Sequence, residues 1–154
     1  MAELEVRTAT DRDIEAVEPL ATDALGRLAA LRGGTALLED VGLAPDATAS
    51  ALARAVCGAG APEMTGYVAV LDGTVVGFAA AVRRGGRLEL ACVHTARSLR
   101  RRRIGSELLS AVQAHARAAG LGFEALALPG DQTVKSLLEA SGFRARLLRM
   151  SDDR

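Results

Sequence analysis

The spacing of hydrophobic positions changes along the chain, and each change predicts a different element. Residues 4–7 alternate like a short strand, and a helical pattern then starts at Thr10 with Asp13 and stops at Gly33-Gly34. After an irregular stretch, Asp46 can cap a second, alanine-rich helix that runs to about Cys57. The first third of the chain is therefore predicted to contain one strand and two helices.

From Gly66 the pattern becomes that of strands. Two β-rich runs, 67–71 and 74–82, are separated by Asp72-Gly73. Asp-Gly favours a type I′ hairpin turn, because that turn needs positive φ at both central residues. A glycine-containing turn at 83–86 leads to a third strand at 88–93. The three runs predict an antiparallel meander.

The last third switches between both patterns. One face of a helix carries Ile104, Leu108, Leu109, Val112, Ala116 and Ala119, and the following strand, 123–128, should run parallel to the strand before that helix. A short helix from Asp131 to Ala140 and a last strand from Phe143 to Met150 complete the chain. The order β, α, α, β, β, β, α, β, α, β predicts one α/β (α+β) domain over residues 1–154, built on a mixed sheet.

Composition adds expectations about the environment of the protein. The 154 residues are 49% hydrophobic, yet no apolar run approaches the roughly 20 residues that span a bilayer, and glutamates stand where a signal peptide would be basic. A cytoplasmic protein with no membrane partner is expected. Arginine far outnumbers lysine, which suggests a GC-rich, bacterial gene. Cys57 and Cys92 lie in no metal-binding spacing, so buried thiols are expected and a metal site is not.

Positive charge is concentrated in one short segment, which contains Arg97, Arg100, Arg101, Arg102 and Arg103. Without these five, 14 basic residues stand against 19 acidic ones. The segment lies between a predicted strand and the start of an amphipathic helix, where free N–H groups and the helix dipole favour anions. A phosphate-bearing ligand is expected, with a merely solvated loop as the alternative. Nucleic acid is not expected as a partner, because the sequence offers neither an aromatic platform nor a broad basic face.

Four segments resemble motifs of the GNAT superfamily of acyl-CoA N-acyltransferases. Residues 100–105 resemble its Q/R-x-x-G-x-G/A signature, with Arg103 where the first glycine is usual. Residues 6–13 and 68–78 are similar to its opening elements and to its second and third strands. Residues 131–143 resemble its N-x-x-A-x-x-x-Y-x-x-x-G-F segment, with Asp131, Val134 and Leu138 in the Asn, Ala and Tyr places.

The resemblance implies a GNAT-like fold, whose mixed sheet is splayed between the fourth and fifth strands, and acetyl-CoA as the cosubstrate. The implied pantetheine edge runs from Val93 to Thr95. Arg103 can donate its N–H to the phosphates if its φ is helical. The residues implied to bind the cofactor are Val93, Thr95, Arg100, Arg101, Arg102, Arg103, Ile104, Gly105, Ser106 and Asp131.

The catalytic residue is the least constrained part of the prediction. An alkyl ammonium with a pKa near ~10 must lose a proton before it attacks a thioester. Glu89 stands eleven residues before Arg100, where some family members carry a general base, and this makes it the first choice. A glutamate on the solvent face of the strand, with Leu88, Leu90 and Cys92 pointing inward, is the alternative.

Two further positions bear on the chemistry. His94 is an alternative base if the strand turns it toward the cleft, and His115 is interpreted as a helix-surface residue. Leu138 replaces the tyrosine that often acts as the general acid, so that role has no residue at its usual position.

Two functions remain open at this level. The first is an N-acetyltransferase that moves the acetyl group of acetyl-CoA to an unidentified primary amine, on a small molecule or a protein, by direct attack in a ternary complex. The second is a catalytically degenerate GNAT-like domain that binds acyl-CoA without turnover. A homodimer is compatible with either.

Overall fold

A computed structural model describes residues 3–59, 63–99 and 103–152. Five strands and five helices form the described chain, joined in part by short 3-10 turns at Asp11–Asp13 and Arg97–Leu99. In chain order they are β1 (Leu4–Thr8), α1 (Ile14–Ala29), α2 (Gly34–Asp40), α3 (Ala49–Val56), β2 (Met64–Leu71), β3 (Thr74–Arg84), β4 (Arg87–Thr95), α4 (Ile104–Ala118), β5 (Gly122–Ala125) and α5 (Gln132–Ala140). None of the helices in these ranges is long and apolar enough to cross a membrane.

The five strands form one mixed sheet in the order β1-β2-β3-β4-β5. The first four strands pair antiparallel, and β5 runs parallel to β4, as the sequence predicts. Within the described chain, the β4–β5 pairing stops at Leu90 and Ala125, with one more bond from the N–H of Leu126 to the carbonyl of Leu90. Beyond this point the two strands diverge, and the predicted splay is confirmed.

Hydrophobic residues pack on both faces of the sheet. On one face, α1 and α3 cover a cluster around Phe78, Val68 and Val17. On the other face, α4 packs Leu108 and Val112 against the strands, together with residues of α5. The sheet is therefore the middle layer of three, and the edge where β4 leaves β5 opens between the two helical layers.

A β-bulge in β4 reverses the direction of its side chains. Ala80 of β3 pairs with Cys92, whereas Ala81 pairs with Leu90, so Ala91 is the additional residue. As a result Leu90 packs on the α4 side of the sheet and Cys92 packs toward the α1 side. The expectation that Leu88, Leu90 and Cys92 share one face was wrong, because strict alternation holds only for a regular strand.

Two local predictions of turns and caps are confirmed. Asp72 and Gly73 both have positive φ, 48° and 83°, as the type I′ turn requires. Before α1, Thr10 and Asp13 form a capping box, and Arg7 donates two hydrogen bonds of 2.8 Å to the Asp13 carboxylate. This ion pair fixes the start of α1 against β1.

Three predicted features differ from the structure. The segment after Gly33-Gly34 is not irregular but forms α2, because glycine allows a turn between two helices as readily as it ends one. The third helix is capped by the Thr48 side chain, which accepts a hydrogen bond of 3.1 Å from the N–H of Ala51, and not by Asp46. The predicted strand from Phe143 to Met150 is absent, and Leu147 there is 86% exposed.

Candidate active site

A cavity of about 310 Å³ opens where β4 and β5 diverge. This volume lies within the range of about 300–1,000 Å³ that is usual for small-molecule sites. Four elements and one further arginine form its wall. The lining residues are Val93, His94 and Thr95 of β4, Leu99 of the 3-10 turn that follows, Arg103, Ile104, Gly105 and Ser106 at the start of α4, Thr133, Val134 and Leu137 of α5, and Arg27 of α1. The structure thus brings together six of the residues predicted to bind the cofactor. Arg100, Arg101 and Arg102, predicted for the same loop, lie outside the described residues.

The start of α4 supplies the polar part of this wall. The N–H of Glu107 is bonded to the carbonyl of Arg103, so the N–H groups of residues 104–106 precede the regular hydrogen-bond ladder of the helix. Their residues line the cavity at the positive end of the helix dipole. The fold therefore presents main-chain donors to an anionic group at this end of the cavity.

Arg103 adopts a backbone conformation that usually belongs to glycine. Its φ is 62° and its ψ is 14°, which is the left-handed region. The condition under which Arg103 was expected to donate its N–H, a helical φ, is therefore not met. The backbone geometry that the usual glycine would permit is kept, and an arginine side chain is added at the mouth of the cavity at the expense of local strain.

Gly105 has a packing role as well as a place in the cavity wall. A Cβ atom at this position would lie 3.2 Å from Cδ2 of Leu137 in α5, which is tighter than an ordinary contact. The lack of a side chain lets α4 begin directly against α5. This close approach keeps both helices on the same cavity.

Asp131 has two partners at the entrance to α5. Its Oδ1 accepts a hydrogen bond of 3.3 Å from the N–H of Val134 and so caps the helix, as the sequence predicts. Its Oδ2 accepts a hydrogen bond of 2.6 Å from Nη1 of Arg27 in α1. The ion pair joins two helical layers that lie 104 residues apart in the chain.

A second, much smaller cavity of about 20 Å³ adjoins the first, with which it shares Arg27, Val93 and Val134. This is room for about one water molecule. Its wall is mostly apolar, and the other lining residues are Leu28, Leu37, Leu90, Ala91, Cys92, Leu126, Leu128 and Asp131. The small cavity therefore lies on the side of Val93 that leads to the bulge of β4.

Glu89 is buried, but it does not line either of these two cavities. It is only 7% exposed, so the alternative of a solvent-facing glutamate was wrong. Its Oε1 accepts a hydrogen bond of 3.1 Å from Nε of Arg84, and Arg84 also contacts Asp40 at the end of α2. Glu89 lies directly opposite Glu124 of β5, one pair before the sheet opens.

His94 lies at the large cavity and pairs with a residue that no sequence pattern singled out. Its Nε2 is 2.8 Å from Oδ2 of Asp23 in α1, and the imidazole is almost fully buried. Nε of Arg97 lies 3.6 Å from the other oxygen of Asp23. The strand does turn His94 to the cleft, which was the condition for its being an alternative base.

Three other side chains considered for the chemistry are Leu138, Cys92 and His115. Leu138, in the place of the usual tyrosine, is 6% exposed and belongs to the apolar core around α4. Burial raises the pKa of the Cys92 thiol to about 11. His115 is exposed, as expected, and its Nδ1 forms a short hydrogen bond with the hydroxyl of Tyr67, far along α4 from the cavity.

The residues that sequence analysis missed are those contributed from other parts of the chain. Arg27 and Asp23 are four positions apart on α1 and so share a face, but nothing local relates them to β4 or to α5. Thr133 and Leu137 are four positions apart in the helix that follows Asp131, so they share a face, and that spacing was the available signal for them.

The chain belongs to the GNAT acetyltransferase family. Residues 36–143 match the family described as "Acetyltransferase (GNAT) family". This match confirms the resemblance and includes β2 to α5, whereas α1 with Arg27 precedes it. The family is one of acetyltransferases that use acetyl-CoA as cosubstrate.

Three solved structures of similar fold match the chain at low sequence identity. The aminoglycoside N-acetyltransferase AAC(6')-Iy in complex with CoA matches with a TM-score of 0.71 at 17% identity, over 100% of this chain and 96% of that one. The PaiA N-acetyltransferase from Thermoplasma acidophilum in complex with coenzyme A gives 0.70 at 15%, over 94% and 91%. The BH1408 protein from Bacillus halodurans gives 0.72 at 15%, over 97% and 99%. A search of curated proteins finds no match.

Proposed function

We propose that this protein is an N-acetyltransferase that moves the acetyl group of acetyl-CoA to a primary amine by direct attack. The observation that carries the proposal is the single cavity that joins the strand edge Val93–Thr95 to the start of α4. An extended thioester with a phosphate group at one end needs both features, a free strand edge and a cluster of main-chain donors.

The positions of these features give the bound cosubstrate a direction. Its phosphates fit at Arg103 to Ser106, where main-chain N–H groups and the Arg103 side chain favour anions. Its pantetheine arm then follows the edge of β4 from Thr95 to Val93. The thioester consequently falls near Ala91 and Cys92, where the bulge interrupts the strand and the small cavity begins.

The reaction requires the loss of two protons from nitrogen and one bond exchange. The acceptor ammonium first loses one proton, the amine nitrogen then forms a bond to the thioester carbonyl carbon, and the carbon–sulfur bond breaks to release the CoA thiolate. The nitrogen gives up its second proton, to the thiolate or to solvent, as the amide forms. We propose Glu89 as the base. Its hydrogen bond from Arg84 orients the carboxylate, and a water must carry the proton because Glu89 does not line the two cavities.

His94 is the second candidate for the base. It does line the large cavity, and the Asp23 carboxylate orients its ring. Its position beside Thr95 places it nearer the pantetheine than the thioester, and for this reason we rank it after Glu89.

Direct attack is favoured over an acetylated enzyme. Cys92 is the one nucleophilic thiol beside the small cavity among the described residues, and its raised pKa, about 11, keeps it protonated at neutral pH. A protonated thiol is a poor nucleophile. The acceptor amine therefore has to attack the thioester itself.

Leu138, which stands in the place of the usual tyrosine, cannot donate a proton to the departing sulfur. An ordinary thiol has a pKa of about 8.5, so a thiolate can leave near neutral pH and take up its proton from solvent. Glu89 alone then suffices as a proton-transfer group.

The acceptor is expected to be an amine, and the test is a thiol-release assay with acetyl-CoA and a panel of aminoglycosides, polyamines and lysine peptides. Aminoglycosides are included because AAC(6')-Iy is named for them. Release of CoA that depends on one of these amines supports the proposal. Acetyl-CoA binding without release by any amine would instead favour the degenerate binding domain.

The cytoplasmic location, the absence of nucleic acid as a partner and the homodimer stay predictions. The homodimer has one observation in its favour, because Leu147, Leu148 and Met150 expose large apolar side chains near the end of the described chain. Sedimentation of the wild type and of a Leu147→Glu, Leu148→Glu variant tests it. We expect the wild type to sediment as a dimer and the variant as a monomer.

A further inference from the structure

The Arg27–Asp131 ion pair forms part of the wall of the small cavity, on the side where this cavity adjoins the large one. Both cavities are lined by Arg27, and the smaller one is also lined by Asp131. If the phosphates bind at α4 and the pantetheine follows β4, the acyl group points past Val93 into the small cavity. This direction rests on the function proposed above.

The small cavity can hold only a small group. Its 20 Å³ holds about one water molecule, which is close to the size of a methyl group and well below that of a propyl group. Its leucine and valine lining suits an aliphatic group and not a charged one. An acetyl group therefore fits the space, and a longer acyl chain requires a side chain to move.

The ion pair is the part of the wall that is hardest to move. Asp131 is held by the N–H of Val134 as well as by Arg27, and the two side chains are only 8% and 21% exposed. A charge buried this far costs much free energy when its partner is removed. Leucine side chains in the rest of the wall can change rotamer more easily.

We propose that the Arg27–Asp131 ion pair restricts the acyl donor to acetyl-CoA by fixing the wall of the small cavity, which would receive the acyl group. Arg27 and Asp131 are specificity-determining residues in this proposal, and neither transfers a proton. The pair joins α1 to the N-terminus of α5, so it also fixes the distance between the two helices that enclose the acyl group.

The experiment measures the affinity of purified protein for CoA, acetyl-CoA and butyryl-CoA by titration calorimetry. For the wild type, acetyl-CoA should bind at least about 10-fold more tightly than butyryl-CoA, since a misfit of one methylene already costs about 10- to 200-fold in a close-fitting site and butyryl has two more than acetyl. In Arg27→Ala, the preference for acetyl-CoA over butyryl-CoA should fall to about threefold or less.

Two further variants make the result specific. Asp131→Asn keeps a side chain that can cap α5 but removes the ion pair, so it should weaken the preference in the same direction. It also serves as the test if Arg27→Ala does not fold. Arg54→Ala removes an exposed arginine of α3, away from both cavities, and should keep the wild-type preference.

The proposal is overturned if the wild type binds butyryl-CoA as tightly as acetyl-CoA. It is also overturned if folded Arg27→Ala and Asp131→Asn both keep the wild-type preference. Failure of the wild type to bind CoA at all has a different meaning, since it contradicts the proposed function and removes the acyl group from the cavity altogether.

Discussion

The two sides of β4 are built from different kinds of interaction. The side proposed to bind acetyl-CoA, here called the cofactor side, consists of main-chain groups and apolar packing, with the strand edge at Val93, the start of α4 and the side chains of α5. The opposite side, toward α1 and α2, is tied by ion pairs: Arg84 with Glu89 and Asp40, Asp23 with His94, and Arg27 with Asp131.

The family match covers the cofactor side completely and the ion-paired side only in part. Residues 36–143 contain the whole cofactor side, whereas α1, which supplies Asp23 and Arg27, lies before them. A cosubstrate common to a family can be held by main-chain groups that any sequence provides. An acceptor that is particular to one protein has to be selected by side chains. We therefore expect specificity for the acceptor to come from the ion-paired side.

The largest expected effect is a loss of turnover when Glu89, on the ion-paired side, is replaced. Glu89→Gln keeps the shape of the side chain but removes the proton acceptor, so turnover should fall by roughly 10² to 10⁴ while acetyl-CoA affinity stays nearly constant. The loss should shrink as pH rises, because more of the amine is then already neutral. Steady-state kinetics from pH 6.5 to about 9.5 measure both effects.

Glu124→Gln is the matched control for this change. Glu124 lies directly opposite Glu89 on β5 and its side chain is 61% exposed, so its replacement should leave turnover unchanged. Full activity of Glu89→Gln would argue against its role as the base. An equal loss of binding and turnover would show that Glu89 holds the strand in place and moves no proton.

A smaller effect is expected on stability at the start of α1. The Arg7 guanidinium, with a hydrogen bond from Thr10, holds the pKa of the buried Asp13 below its usual range. Asp13→Asn should therefore lower the free energy of unfolding by about 1.5–3 kcal/mol near neutral pH. Thermal or urea unfolding measures this difference.

The pH dependence of this effect has a definite sign. A depressed folded-state pKa contributes stability that is present above the unfolded pKa of about 4 and is lost as pH falls through the folded value. The gap between wild type and Asp13→Asn should therefore be constant near pH 7 and narrow in acid. Asp11→Asn, at an exposed neighbouring position, should show no such gap. A gap that widens in acid would contradict the assignment.

On the cofactor side, the strained backbone of Arg103 gives a prediction of about 1 kcal/mol. Arg103→Ala and Arg103→Gly remove the same charge, but only glycine accepts a φ of 62° without strain. The glycine variant should therefore be the more stable of the two by about 1 kcal/mol. Both should bind acetyl-CoA less tightly than the wild type. An alanine variant that equals or exceeds the glycine variant in stability would mean that this loop is not strained.

The smallest expected effect is that of Cys92→Ala, which should leave turnover nearly unchanged. The raised pKa of this thiol, about 11, makes it an unsuitable acyl acceptor even though it borders the small cavity. Mass spectrometry of the wild type with acetyl-CoA alone should detect no acetylated protein. An acetylated Cys92 that forms and disappears during turnover would replace direct attack by a two-step mechanism.

Much of the cofactor side could be predicted from the sequence, because its signals are local. The Asp72-Gly73 turn, the start of α4 and the cap at Asp131 each depend on residues close together in the chain. The parallel β5 follows from the intervening helix. The conformation of Arg103 could not be predicted, because arginine rarely adopts a positive φ and its own preference points to a helical one.

The contacts on the ion-paired side could not be predicted from the sequence, because the paired residues are far apart in the chain. Arg27 meets Asp131 across 104 residues, and His94 meets Asp23 across 71. A charged residue beside the apolar stripe of a helix looks the same in sequence whether it faces solvent or a cavity. The bulge at Ala91 could not be predicted either. This one additional residue places Leu90 and Cys92 on opposite faces of the sheet.

Binding of acetyl-CoA to the start of α4 is tested most directly by thermal unfolding with and without the ligand. At a concentration of about 100 times the dissociation constant, acetyl-CoA should stabilise the wild type by about 2.7 kcal/mol. Gly105→Ala, which adds only the Cβ that meets Leu137, should keep most of this shift, and Gly105→Glu should fold but lose it, because its carboxylate enters the anion site. An unchanged melting temperature of the wild type in millimolar acetyl-CoA, or a full shift in Gly105→Glu, would contradict the site.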